Sequence, residues 1–148
     1  MRYSRIDLFT TSDRIRLELV LVSRLDVQTL LRQVRDKLIA LDFPAADQLA
    51  IHSALKAALV KALQHCDRLN CSKQIRVALL MDPNEFRIRI RATGNTFDTA
   101  PDSRAFDIAK LGAQNVDDSW SIFQCMGEVR RNKKGNMLTL IRRRSCRP

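Results

Sequence analysis

Aromatic side chains are scarce: one Trp, one Tyr and six Phe in 148 residues. Few rings are therefore on hand for successive bases to stack on, which weighs against a platform for single-stranded nucleic acid. No apolar run approaches the roughly 20 residues that a membrane span needs. The opening MRYSRIDLFTTSD has no continuous apolar stretch of the kind a secretory signal carries. The four cysteines, Cys66, Cys71, Cys125 and Cys146, do not make a disulfide framework in a chain of this size. A cytoplasmic protein with reduced thiols is expected. His65, Cys66 and Cys71 match no standard zinc spacing, and a fourth ligand would have to come from His52, Cys125 or Cys146. They are read as free thiols and a surface His, with no metal site. A nucleophile built on Cys66 and His65 has no visible activating partner. Acidic residues are missing from one end, since no Asp or Glu follows Glu128.

What is present is a basic, globular composition. Hydrophobic residues make up 45% and charged ones 28%, enough apolar content for one domain with a core. The formal net charge is +10, which admits nucleic acid, an anionic surface or an acidic protein as partner. There are no repeats or low-complexity tracts.

Residues 1–12 lack periodicity and are expected to form a loose arm, with one domain over 13–144 and a tail at 145–148. Within 13–22, Ile15, Leu17, Leu19 and Leu21 alternate with Arg14, Arg16 and Glu18, the pattern of a half-buried strand. Asp26 reads as the N-cap of a helix to about Leu41, with Val27, Leu30, Leu31, Val34, Leu38 and Leu41 inward and Arg32, Arg35 and Lys37 outward. A longer helix over 45–66 follows Asp42 and Pro44. It places Ile51, Leu55, Ala58, Leu59, Ala62, Leu63 and Cys66 on one stripe, and Ala50, Ala54, Ala57, Lys61 and Gln64 on a second, small-residue face. Strands over 74–81 and 85–93 meet at Asp82-Pro83-Asn84, with Phe86, Ile88 and Ile90 inward and Arg87, Arg89 and Arg91 outward. An irregular segment over 93–107 and a weakly helical one over 106–126 come next. A hairpin of 128–132 and 137–143 closes the chain around Lys133-Lys134-Gly135-Asn136. The expected fold is an α+β two-layer sandwich, a mixed but mostly antiparallel sheet with helices on one face.

This order resembles the histidine-kinase-like (GHKL) ATPase domain, and within it the small anti-sigma-factor serine kinases. The likeness runs from Leu17 to Arg144. The family helix reads roughly E-A-L-x-N-A-I-x-H-G, and Ala57-Ala58-Leu59-Val60-Lys61-Ala62-Leu63-Gln64-His65-Cys66 lies in register with it. The closing Met126-Gly127-Glu128-Val129 and Gly135-Asn136-Met137-Leu138-Thr139-Leu140-Ile141-Arg142-Arg143 resemble the family's M-D-E-V and G-N-x-V-T-L-x-K-R. In the family the helix Glu serves as base or positions the attacking group, and the Asn gives an oxygen to Mg²⁺. Here those positions are Ala57, which has no titratable group, and Lys61, whose ammonium is not an oxygen ligand. Lys61 is either a partial stand-in for the metal's charge or a solvated or ion-paired Lys. The family's adenine-reading D-x-G-x-G meets Ala92, Gly94 and Thr96, followed by a matching Phe97-Asp98. Its glycine-rich phosphate stretch meets Asp117 and Asp118, two carboxylates that would repel a triphosphate.

The resemblance therefore implies a regulatory protein-binding domain with degenerate ATP motifs. No catalytic residue, cofactor or metal is expected. Implied partners are a sigma factor, an anti-anti-sigma (STAS) protein and a second copy of the chain. The candidate partner-binding residues are Arg32, Arg35 and Lys37 on the first helix and Arg87, Arg89 and Arg91 on the strand. An active ATP- and Mg-dependent serine/threonine kinase with rearranged ligands is the alternative. A non-specific nucleic-acid binder driven by charge is the second.

Overall fold

The computed structural model describes residues 2–5, 14–69, 74–92, 97 and 126–145. Their elements are β1 (Arg2–Arg5), β2 (Ile15–Leu21), α1 (Arg24–Ala40), α2 (Ala45–Leu69), β3 (Ile75–Met81), β4 (Glu85–Arg91), β5 (Glu128–Arg131) and β6 (Met137–Arg143). The strands form one sheet in the order β1-β2-β3-β4-β6-β5. Every pairing among these residues is antiparallel, so the parallel component of a mixed sheet does not occur in them. The architecture is α+β, with two helices against one sheet.

Period-two alternation decides which side the helices take. Leu17, Leu79, Ile88, Leu140 and Val129 lie in register across five strands, and Leu19, Val77, Ile90 and Leu138 form the next row. All nine are buried with Val27, Leu30, Leu31, Val34 and Leu38 of α1 and Ile51, Leu55, Leu59 and Leu63 of α2, in one core. At about 1.5–3 kcal/mol for each fully buried large apolar side chain, this shared face dominates the folding free energy.

Two local readings change. Ser23, not Asp26, caps α1: Ser23 is extended at φ −152°, and its Oγ accepts from the Asp26 N–H at 3.3 Å. Asp26 sits in the first turn instead, buried, accepting from the Val22 N–H at 2.8 Å. The pair is a capping box shifted by one residue at its return bond. Arg2–Arg5, expected in a loose arm, pairs with β2 as an edge strand. Four residues without an apolar alternation carry no strand signal, and backbone pairing to a neighbour is what places them.

The turn between α1 and α2 is a Schellman motif. The Phe43 N–H donates to the Leu38 carbonyl at 3.0 Å and the Asp42 N–H to the Ile39 carbonyl at 2.9 Å. Asp42 occupies the left-handed position usually given to Gly, at φ 59°. Phe43 and Leu38 are both buried, completing the motif's apolar contact.

Two long-range staples fasten the chain's end to this turn. Asp47, fully buried in the first turn of α2, takes the Arg142 Nε at 2.8 Å and the Ser145 N–H at 2.9 Å. A second Arg142 nitrogen lies 2.6 Å from the same carboxylate. Burial alone would raise the Asp47 pKa, but the Ser145 hydroxyl and amide, then Arg142, outweigh it and hold the group below its ordinary value. Arg144 donates to the carbonyls of Leu41 and Pro83 at 3.2 Å each, and its guanidinium lies 5.6 Å from the Phe43 ring centroid. Arg142 and Arg144 are thus structural.

Candidate functional site

Each region picked out in the sequence takes a definite place where it is described. On α2, Ala57 is half-buried and packs against the core, and Lys61 is half-buried four residues on. His65, at the family's His position, is half-buried, and its Nε2 finds no hydrogen-bond partner among the described residues. Ala54, expected on the small-residue face with Ala50 and Ala57, is fully buried in the core. A methyl group fits either side of an amphipathic helix, so periodicity cannot orient it. Ala92 is buried after β4, its N–H donating to the Asn136 carbonyl at 2.8 Å. Phe97 is buried too, its N–H donating to the Gly135 carbonyl at 2.7 Å. The Phe97 backbone is thereby tied to the β5–β6 turn, where Gly135 has φ 72°. Gly94, Thr96, Asp117 and Asp118 lie outside the described residues, as do the side chain of Cys66 and Cys71, Cys125 and Cys146.

The outer surface of α1 is basic and partly apolar. Arg32 and Arg35 are exposed, Arg35 lying 4.0 Å from the Asp36 carboxylate, and Lys37 is half-buried. Leu25 and Ile39 stand 68% and 56% exposed, far more than is usual for their size. Leu25, Arg32 and Ile39 are spaced by sevens, close to two helical turns each, and so fall along one line of the helix. Beside that line, Arg32, Arg35 and Leu31 of α1 face His52 and Lys56 of α2 across a groove of about 260 Å³. On α2, Leu49 is 68% exposed.

The sheet's second face, turned away from the helices, carries the strand arginines. Register sets them out as a grid. Arg16, Leu80, Arg87, Ile141 and Glu128 form one row; Glu18, Ala78, Arg89, Thr139 and Arg130 the next; Val20, Arg76, Arg91 and Met137 the third. The three arginines of central strand β4 are exposed; Arg87 and Arg89 have small or apolar cross-strand neighbours, whereas Arg91 has Arg76 on one side and Met137 on the other. Two depressions of about 390 Å³ and 330 Å³ share Glu18, Ala78 and Arg89 and together cross the face. The two ends differ in charge balance. Arg87 is 3.6 Å from Glu85, and Arg130 is 2.6 Å from Glu128. The side chains of Arg76, Arg89 and Arg91 make no ion pair or hydrogen bond among the described residues.

In chemical terms these two surfaces can gather carboxylates or phosphates onto guanidinium forks, with apolar ground between them. Among the described residues no three His, Cys, Asp or Glu side chains converge as metal ligands, and no helix is long and apolar enough to cross a membrane. No protein-family model matches the chain, and no curated protein matches it.

Proposed function

We propose that this chain is a regulatory protein-binding domain related to the anti-sigma-factor serine kinases, acting by occlusion of a partner and not by phosphorylation. The order of strand, two helices, hairpin and closing hairpin around one helical layer supports a GHKL-type fold. At the two chemically decisive places on α2 the chain has a methyl group and an ammonium, at Ala57 and Lys61. The observation that carries the binding role is the outward line of α1, where exposed Leu25 and Ile39 bracket Arg32. Exposed large apolar side chains with arginines between them are the composition of a protein interface, aromatic anchors then coming from the partner. A sigma factor, a STAS protein or a second copy of the chain is the partner this relationship suggests.

The test pairs capture from a native cell extract with two charge-reversal variants, Arg32→Glu/Arg35→Glu and Arg87→Glu/Arg89→Glu. At least one pair weakens binding of the captured partner by more than about tenfold, or about 1.4 kcal/mol. If neither does while Ala57→Glu or Lys61→Asn abolishes binding, the partner sits over α2, in the place of the family's nucleotide, and this placement is wrong.

A further inference from the structure

Arg76 and Arg91 stand directly opposite one another on the antiparallel strands β3 and β4. Cα atoms so paired are only about 4.5–5.5 Å apart, and like charges in that relation repel. Nothing in the fold demands two arginines there, because both side chains point away from the core and both are exposed. Arg89, one step along the same face of β4, adds a third charge to the same 390 Å³ depression. No side chain of the three makes an ion pair or hydrogen bond among the described residues, although Arg87 and Arg130 on the same face are matched by Glu85 and Glu128. Three guanidinium groups around one depression, against the single carboxylate of Glu18, mark this corner as a place for outside anions.

We propose that the open face of the sheet is a docking surface for an acidic, amphipathic segment of a partner protein, anchored by carboxylates at Arg76, Arg89 and Arg91. The proposal rests on the protein-binding reading and adds a second surface, on the side of the sheet opposite α1. The depression is far larger than one oxyanion, and its lining is part apolar, with Val20, Ala78 and Met137 beside the arginines. A ligand with only charges would leave that apolar part uncovered, whereas alternating acidic and apolar side chains of an extended segment would meet both. Guanidinium groups bind carboxylates in a two-pronged fashion that fixes register as well as charge. A nucleic-acid backbone fits less well, because it presents phosphates without aliphatic side chains to cover Val20, Ala78 and Met137. A second copy of the chain would bring one basic face against another.

The full chain is compared with Arg76→Gln/Arg91→Gln and with a charge-matched control at two exposed lysines of the β5–β6 turn, Lys133→Gln/Lys134→Gln. The probes are a fluorescein-labelled 12-residue peptide of alternating Glu and Leu and a labelled 12-nucleotide single-stranded DNA, read by anisotropy at 150 mM salt. The peptide binds the wild type, and the Arg76/Arg91 variant weakens it at least tenfold while the control changes it less than twofold. With no probe present, the melting midpoint of the Arg76/Arg91 variant equals or exceeds that of the wild type, by up to about 4 °C once the repulsion is relieved. Equal losses in both variants, or no binding by the wild type, would overturn the proposal. So would a lower midpoint in the Arg76/Arg91 variant, which would make these arginines structural. DNA bound more tightly than the peptide, and lost in the same variant, replaces the protein segment with nucleic acid. Stabilisation by Mg·ATP, measured in parallel, separates the two failures: its presence defeats the underlying reading, and its absence confines any failure to this surface.

Discussion

Replacing Asp47 by alanine removes the group that holds the end of β6 against the start of α2. In the folded chain its carboxylate is fully buried and takes two Arg142 nitrogens, at 2.8 and 2.6 Å, and the Ser145 N–H at 2.9 Å. Hydrogen bonds to a charged group are worth about 1.5–3 kcal/mol each, and stranding one partner of a buried pair costs about 3–5 kcal/mol. Arg142 keeps 17% of its side-chain exposure and recovers some hydration once released. The expected loss is therefore at the lower end, about 3 kcal/mol, or very roughly 10 °C in melting midpoint for a chain of this length. Urea unfolding followed by circular dichroism at pH 7 measures it. The pH dependence then separates charge from packing. Asp47 has a lowered folded pKa, so its contribution is present above the unfolded value near 4 and disappears as pH falls through the folded one. The gap between wild type and variant accordingly narrows below about pH 4. A loss under about 1 kcal/mol at pH 7, or a gap that stays constant down to pH 3, would refute the argument.

At the Schellman turn, Asp42→Gly stabilises the protein by about 0.5–1 kcal/mol, since an L-residue in the left-handed region costs about 1–2 kcal/mol and glycine returns part of that in unfolded-state entropy. The carboxylate it removes is exposed and 4.0 Å from Arg144, so little is lost with it; a fall in urea midpoint would contradict this. Phe97→Ala empties a fully buried site and costs about 3–5 kcal/mol, read by the same unfolding curves, and a loss below about 1 kcal/mol would show that this ring is dispensable to the core. Retention on random duplex DNA collapses between about 50 and 200 mM salt through counterion release, and nanomolar binding to one sequence at physiological salt would favour a nucleic-acid function instead.

How far the fold was legible depended on whether a residue's role is local. The alternation of Leu17 and Leu19, or of Ile88 and Ile90, needs only neighbours two apart, and the structure places all four in the core. Ser23 and Asp26 are both good caps, and only the backbone angle at Ser23 decides between them. Asp47 carried no signal because its partner lies 95 residues away. For the same reason nothing local in the sequence marks Arg142 and Arg144 as staples. The β4 arginine row could be read from period two, whereas its opposition to Arg76 could not. That opposition exists only once the register of β3 against β4 is fixed.

The central claim, that this scaffold serves partner binding with its nucleotide chemistry gone, meets its most direct test in a melting experiment with millimolar Mg·ATP or Mg·ADP. A site filled to about 100 times its dissociation constant adds about 2.7 kcal/mol of stability. In a chain of this length that is a rise of very roughly 5–15 °C. With Ala57, Lys61 and Ala92 at the decisive positions, the account predicts a midpoint unchanged beyond the effect of matched ionic strength. A rise in that range, abolished by further substitution at Lys61, would contradict it and make the chain a nucleotide-binding kinase with rearranged ligands.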